Sequence, residues 1–271
     1  MKKPKLLITL GCSFTEGVGC YDPQTLINNK GDVESLSTIY AKNKERFHEY
    51  SWPSLLQKML NYDELINLGL GGASTSGNLK VFFEKYKDID FSEKYDVLII
   101  WFVPHSTRFS FYRNGHVVNI IPTMDHNIYN RYTYKLGLEY VNFIGNLSLD
   151  PTLDQLFYIK VMEDHCKLKN YNFLFTLTDP LSESLYNKLY DGKCMMLNGK
   201  SPLPNVYENP HLKSLACDHP NEKGYEIVAQ TFFNWIQEYR KDLLSNEIPT
   251  RFISKWDGNE LNKHTKNHEI I

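Results

Sequence analysis

The stretch Asp96-Val97-Leu98-Ile99-Ile100-Trp101-Phe102-Val103 constrains the fold of this chain more than any other. After the aspartate every side chain is apolar, with no polar residue at alternate positions. A strand with one face in water alternates, whereas an unbroken apolar run is expected of a strand covered on both faces, as in a parallel sheet flanked by helices. Residues 5–10, 64–70 and 172–178 are further short β-rich runs. Helix patterns separate them. Ser51-Trp52-Pro53 offers an N-cap and an early proline ahead of Leu55, Leu56, Met59 and Leu60. Residues 75–86 carry Leu79, Phe82 and Phe83 at helical spacing. Asp150-Pro151 opens a helix through Leu153, Leu156, Phe157, Ile159 and Val161, and Asn221 caps one bearing Ile227, Val228, Phe232, Trp235 and Ile236. Strand–helix alternation of this kind predicts an α/β protein, a three-layer α/β/α sandwich around a parallel sheet.

Two stretches break the rhythm. Residues 21–50 are polar and read as a long loop with a short helix. Residues 105–149 contain two β-rich runs around Asn114-Gly115, a strong hairpin signal. This insertion, rich in Tyr and Phe, reads equally as a satellite core or as a lid over substrate. Residues 1–244 are expected to form one domain, with 245–271 a polar C-terminal tail. The 271 residues, 42% hydrophobic, suffice for one packed core.

Charge narrows the partners. A formal net charge of -2 leaves no basic excess to hold a phosphate backbone, so nucleic acid is not the expected partner. The five cysteines (Cys12, Cys20, Cys166, Cys194 and Cys217) show no zinc-ligand spacing and read as free thiols in a reducing compartment. The apolar run Leu6–Leu10 is too short for a secretion signal core, and no apolar stretch reaches membrane-spanning length. A cytoplasmic protein with no membrane partner is expected.

The segment Leu10-Gly11-Cys12-Ser13-Phe14-Thr15-Glu16-Gly17 lies where the first strand ends, at the carboxyl edge where open α/β sheets bind ligands. Small residues there allow a sharp turn that exposes a side chain. The loop lacks the Gly-Lys-Ser/Thr ending of a phosphate-binding P-loop. Val18 stands where a small tyrosine phosphatase would have arginine, and the Gly-x-Ser-x-Gly elbow is absent. An ordinary strand–helix turn remains open for this loop. The second segment is Cys217-Asp218-His219-Pro220-Asn221-Glu222-Lys223-Gly224-Tyr225, just before the last long helix. Pro220 fixes the backbone and Asn221 caps the helix, so His219 is anchored at a helix entrance. A serine after the first strand and a histidine before the last helix can meet at the sheet's carboxyl edge, which is the contact serine catalysis requires.

Gly11-Cys12-Ser13-Phe14 resembles the opening Gly-Asp-Ser-Phe/Leu motif of SGNH/GDSL hydrolases, in a Gly-Cys-Ser-Phe-Thr form similar to versions in bacteriophage proteins. His219-Pro220-Asn221-x-x-Gly224-Tyr225 resembles the closing histidine block of that family, and Asn67-Leu68-Gly69-Leu70-Gly71-Gly72-Ala73-Ser74 its second block. The resemblance implies a flavodoxin-like sheet and ester hydrolysis through an acyl-enzyme. Ser13 becomes nucleophile and His219 general base, and the N–H groups of Ser13 and Gly72 become oxyanion donors. No metal or organic cofactor is implied, and the expected partner is a small-molecule or carbohydrate ester.

Two positions depart from the family pattern. Pro104 stands near the place of the usual oxyanion asparagine, leaving Asn78, His105, Ser106 and Arg108 as substitute donors, with Asn78 assigned first. Ala216 holds the usual place of the acid three residues before the histidine. Asp218 is then the nearest acid, with Asp179 and Glu208 as alternatives, although adjacent side chains in extended backbone point apart. These departures keep a second reading open, a catalytically weakened binding or structural module, virion-associated by analogy with the phage versions.

Overall fold

In chain order the elements are β1 (Lys5–Gly11), the one-turn helix α1 (Ser13–Glu16), α2 (Leu36–Tyr50), α3 (Trp52–Leu60), β2 (Glu64–Gly69), α4 (Thr75–Tyr86), β3 (Asp96–Val103), β4 (Phe109–Arg113), β5 (His116–Ile120), α5 (Pro151–Leu168), β6 (Asn172–Leu177) and α6 (Glu222–Tyr239). The computed structural model describes residues 2–27, 35–113, 116–120, 151–178, 209–214, 217 and 219–244, with Lys135 and Glu139. Among the described residues a four-stranded sheet runs in the order β2-β1-β3-β6. All of its pairs are parallel, with Leu7 opposite both Leu65 and Leu98, and Ile99 opposite Phe173.

The apolar run in β3 is buried from Val97 to Val103, and alternate residues feed opposite layers. Leu98, Ile100 and Phe102 join Leu7 and Leu174 in a core with Trp52, Leu56 and Leu60 of α3 and Val228, Phe232 and Ile236 of α6. Ile99, Trp101 and Val103 join Leu6, Ile8 and Leu10 in a second core with Leu79 and Phe82 of α4 and Leu156, Ile159 and Met162 of α5. Helices therefore cover both faces, giving the three-layer α/β/α sandwich. Each large side chain so buried contributes roughly 1.5–3 kcal/mol. Trp52 is the wedge of the first core, its ring edge-on to Phe232 at 4.7 Å and to Phe102 at 6.2 Å.

The region 21–50 differs from expectation, because α2 is a fifteen-residue helix rather than a short one. Its inward stripe is Ile39, Asn43 and Phe47, all buried at four-residue spacing. The middle member is polar, which hides the stripe from a hydrophobicity reading. Asn43 is satisfied in place: its Nδ2 donates to Thr25 Oγ1 and Ile39 O, and its Oδ1 accepts from Asp22 N. At the next junction Ser51 precedes α3 as expected, but its hydroxyl donates back to His48 O instead of capping forward. Helix α2 ends on the same residue, and its last carbonyls compete for that hydroxyl.

The hairpin forms in the expected register, β4 against β5 with Arg113 opposite His116. Ser110 Oγ donates to Asn119 Oδ1 across it, and lies 2.6 Å from the hydroxyl of Ser74, the N-cap of α4. The hairpin thus leans on the loop after β2. The Asn114-Gly115 turn, most of the remaining insertion and the tail after residue 244 lie outside the described residues. Among the described residues Cys12, Cys20 and Cys217 are free thiols and Cys166 is buried, while Cys194 lies outside them. Among the described residues no helix is long and apolar enough to cross a membrane.

Candidate active site

β1 delivers the chain to the sheet's carboxyl edge at Gly11, and Cys12 starts a single tight turn whose carbonyl accepts from Thr15 N and Glu16 N at 2.9 and 3.0 Å. Ser13 is the first residue of that turn and is 8% exposed. Asn67 stitches the turn to β2, its Nδ2 donating to Thr15 O and its Oδ1 accepting from Gly69 N. The Leu70 N–H donates to Gly11 O. Glu16 closes the unit: its carboxylate accepts from Gly71 N at 2.8 Å and from the Tyr40 hydroxyl. Burial pushes the Glu16 carboxyl above the usual range, against the opposing pull of the Gly71 N–H and of Lys44. In this way the Ser13 turn and the glycine loop after β2 form one hydrogen-bonded piece.

His219 arrives from the other end of the chain. Its carbonyl accepts from Ser214 N, and Asn221 N donates to Leu212 O, so the histidine loop is pinned on both sides. Asn221 caps α6 as expected, accepting from Gly224 N while its amide donates to His211 O and Lys213 O. The Tyr225 hydroxyl donates to Val18 O, tying α6 to the segment after Ser13. Gly19 makes this closeness feasible, since a Cβ there would lie 2.2 Å from Pro220 O and 2.9 Å from His219 Cβ. The imidazole rests against the Phe14 ring, centroids 5.0 Å apart.

These anchors set Ser13 Oγ and His219 Nε2 2.6 Å apart, across 206 residues of sequence. On the far side of the ring, Nδ1 lies 3.2 Å from the sulfur of Cys217, and that thiol donates to the Tyr21 hydroxyl at 3.7 Å. Asp218, Asp179 and Glu208 lie outside the described residues. Sequence reasoning missed Cys217 as a neighbour of Nδ1 because it looked only for carboxylates. The signal was present: in extended backbone, side chains two residues apart share a face, which offers residue 217 to the ring of 219.

The remaining positions sort by what they already hold. Gly72 has φ +75°, and the N–H groups of Gly72 and Ser13 take no partner among the described residues. Asn78 is buried, its Nδ2 donating to Gly11 O at 2.9 Å and its Oδ1 accepting from Trp101 Nε1 at 3.0 Å. Pro104 has no N–H to offer, and its carbonyl accepts from Gln155 Nε2. His105 Nδ1 is engaged by Thr107. Arg108 is different, with Nε and Nη1 buried and without a hydrogen-bond partner among the described residues. A cavity of about 360 Å³, walled by Gly19, Tyr21, Arg46, Lys213 and Glu222 among others, adjoins the histidine loop without including Ser13 or His219. Among the described residues no cluster of three or more His, Cys, Asp or Glu side chains has the arrangement to hold a metal.

No family model matches this chain, and no curated protein matches it. The solved structures similar to it include esterases and lipases. TesA aligns at 12% identity over 89% of this chain and 100% of its own, with a TM-score of 0.46. A family two carbohydrate esterase from Clostridium thermocellum, solved with cellohexaose, aligns at 10% identity over 90% of this chain and 66% of its own, with a TM-score of 0.46. A GDSL-like lipase from Parabacteroides merdae aligns at 12% identity over 88% of this chain and 96% of its own, with a TM-score of 0.38. At these identities the likeness is one of fold alone.

Proposed function

We propose that this chain is a serine ester hydrolase in which Ser13 is the nucleophile and His219 the general base. The observation that carries the reading is the 2.6 Å contact between Ser13 Oγ and His219 Nε2, held by separate anchors on each side. As Ser13 Oγ attacks the acyl carbon, Nε2 takes its proton; the imidazolium then protonates the departing alcohol, leaving the acyl on Oγ. Water attacks that ester in the second half-reaction, with His219 again taking the proton. The N–H groups of Ser13 and Gly72, which take no partner among the described residues, receive the oxyanion. Small O-acyl esters, O-acetyl carbohydrate first among them, are the substrate class to assay.

For a third oxyanion donor we favour Arg108 over Asn78. Arg108 Nε and Nη1 lack partners among the described residues, whereas Asn78 already supports Gly11 O and Trp101. Ser110, two residues on, touches the N-cap of the helix that follows Gly72, so this segment borders the glycine loop. Arg108→Ala is expected to lower kcat by ~10²-fold or more, as loss of a donor does, while Asn78→Ala lowers the melting temperature more than it lowers turnover. The reverse pattern returns the role to Asn78.

The hydrolase reading is tested with p-nitrophenyl acetate, wild type beside Ser13→Ala and His219→Ala. Wild type should turn over, and each variant should lose ~10³-fold or more. If wild type hydrolyses no short ester, the binding-module alternative stands in its place.

A further inference from the structure

We propose that Cys217 is a positioning residue for the reaction, fixing the tautomer of His219, with Tyr21 holding the thiol in the orientation that does so. The inference rests on the hydrolase reading for its kinetic consequence but not for its structural one. A neutral imidazole can accept the serine proton at Nε2 only when its own proton sits on Nδ1, and the group facing Nδ1 decides which nitrogen carries it. Among the described residues the group facing Nδ1 is the Cys217 sulfur, at 3.2 Å. A thiol has one S–H and sulfur lone pairs. If the S–H pointed at Nδ1, the ring proton would move to Nε2 and Ser13 would face a donor. The Tyr21 hydroxyl prevents this by accepting the S–H at 3.7 Å, leaving the lone pairs toward Nδ1.

The result is a directed chain, Ser13 O–H to Nε2, Nδ1–H to Cys217 sulfur, and S–H to the Tyr21 oxygen. Its acceptor at Nδ1 is a thiol, weaker and less polar than the carboxylate of a usual serine triad. Such an acceptor orients the ring but stabilises the imidazolium less than a carboxylate does. Cys217 is partly exposed and Tyr21 half-buried, so substitution at either position removes little core.

The experiment has two arms. In the first, long-range ¹H–¹⁵N correlation spectra of the His219 ring are recorded where the imidazole is neutral, for wild type and Cys217→Ala, Cys217→Ser, Tyr21→Phe and Asp218→Asn. Wild type is expected to show the Nδ1–H tautomer. Cys217→Ala and Tyr21→Phe should shift population toward Nε2–H, while the serine hydroxyl, which can also accept, keeps Nδ1–H. In the second arm, kcat should fall roughly ten-fold in Cys217→Ala with KM unchanged, well short of the ~10⁴-fold loss that follows removal of a triad carboxylate. Cys217→Ser should recover most of the loss. A wild-type ring already in the Nε2–H form overturns the proposal, as does a Cys217→Ala protein with unaltered tautomer and kcat. So does a tautomer change seen in Asp218→Asn alone, which would assign the role to that acid. The spectra decide even if no ester is hydrolysed, so failure of this inference and failure of the hydrolase reading are told apart.

Discussion

Gly72 and Glu16 show how the site is held at the scale of single residues. Gly72 adopts φ +75°, where an L side chain is strained, and this lets the loop after β2 present its N–H beside the Ser13 turn. Glu16, with about 9% of its surface exposed, braces the same loop through Gly71. Because desolvation raises its folded-state pKa above the unfolded value, the native protein binds this proton more tightly than the unfolded chain does. The contribution of Glu16 to stability is therefore greatest below the ordinary carboxylate range and declines as pH rises through the raised value. Urea titrations from about pH 4 upward should show wild type losing ground to Glu16→Gln as pH rises, since the amide has no charge to bury. A difference that stays constant with pH would mean that Glu16 is not held in this way.

At the scale of elements, most of the framework was legible. The expected strands 5–10, 64–70, 96–103 and 172–178 meet the observed bounds within a residue, and α4 matches at both ends. Continuous apolar runs and Ser or Asn caps are local signals, readable without knowing the partner. What escaped was long-range. The α2 stripe runs through Asn43, whose burial makes sense only once Asp22 and Thr25 are in place. The hydrogen bonds of Asn78 to Gly11 O and Trp101 likewise depend on partners set by β1 and β3. That Ser13 and His219 meet was legible because each sits in a short motif at an element boundary.

The helix–sheet layer opposite α3 and α6 carries a pH test of its own. His165 of α5 packs against Phe82, Phe83 and Tyr171, with centroids 5.0–6.2 Å away. Burial, assisted by Lys169 and opposed by Asp90, lowers its pKa. A lowered folded-state value means that stability is full above the ordinary imidazole range and is lost as pH falls through the folded pKa. Wild type should lose unfolding free energy more steeply than His165→Phe between about pH 7.5 and pH 5 in denaturant titrations. Equal slopes would show that the ring cluster does not oppose protonation.

At the scale of the whole molecule, a parallel sheet sends every strand's carboxyl end to one edge. Gly11, Gly69 and Val103 all end there, and the loops that follow carry Ser13, Gly72 and Pro104 through Arg108. His219 needs a different route, and α6 provides it by packing on α3 and against Leu7, Ile100 and Phe102. Two residues 206 positions apart thus meet because both cores of the sandwich are filled. The measurement that tests this most directly is the intact mass and peptide map of the protein after exposure to a fluorophosphonate, which reports a nucleophile without requiring the natural substrate. The account predicts one adduct on Ser13 in wild type and none in His219→Ala. An unlabelled wild type, or labelling that persists undiminished without His219, would contradict it.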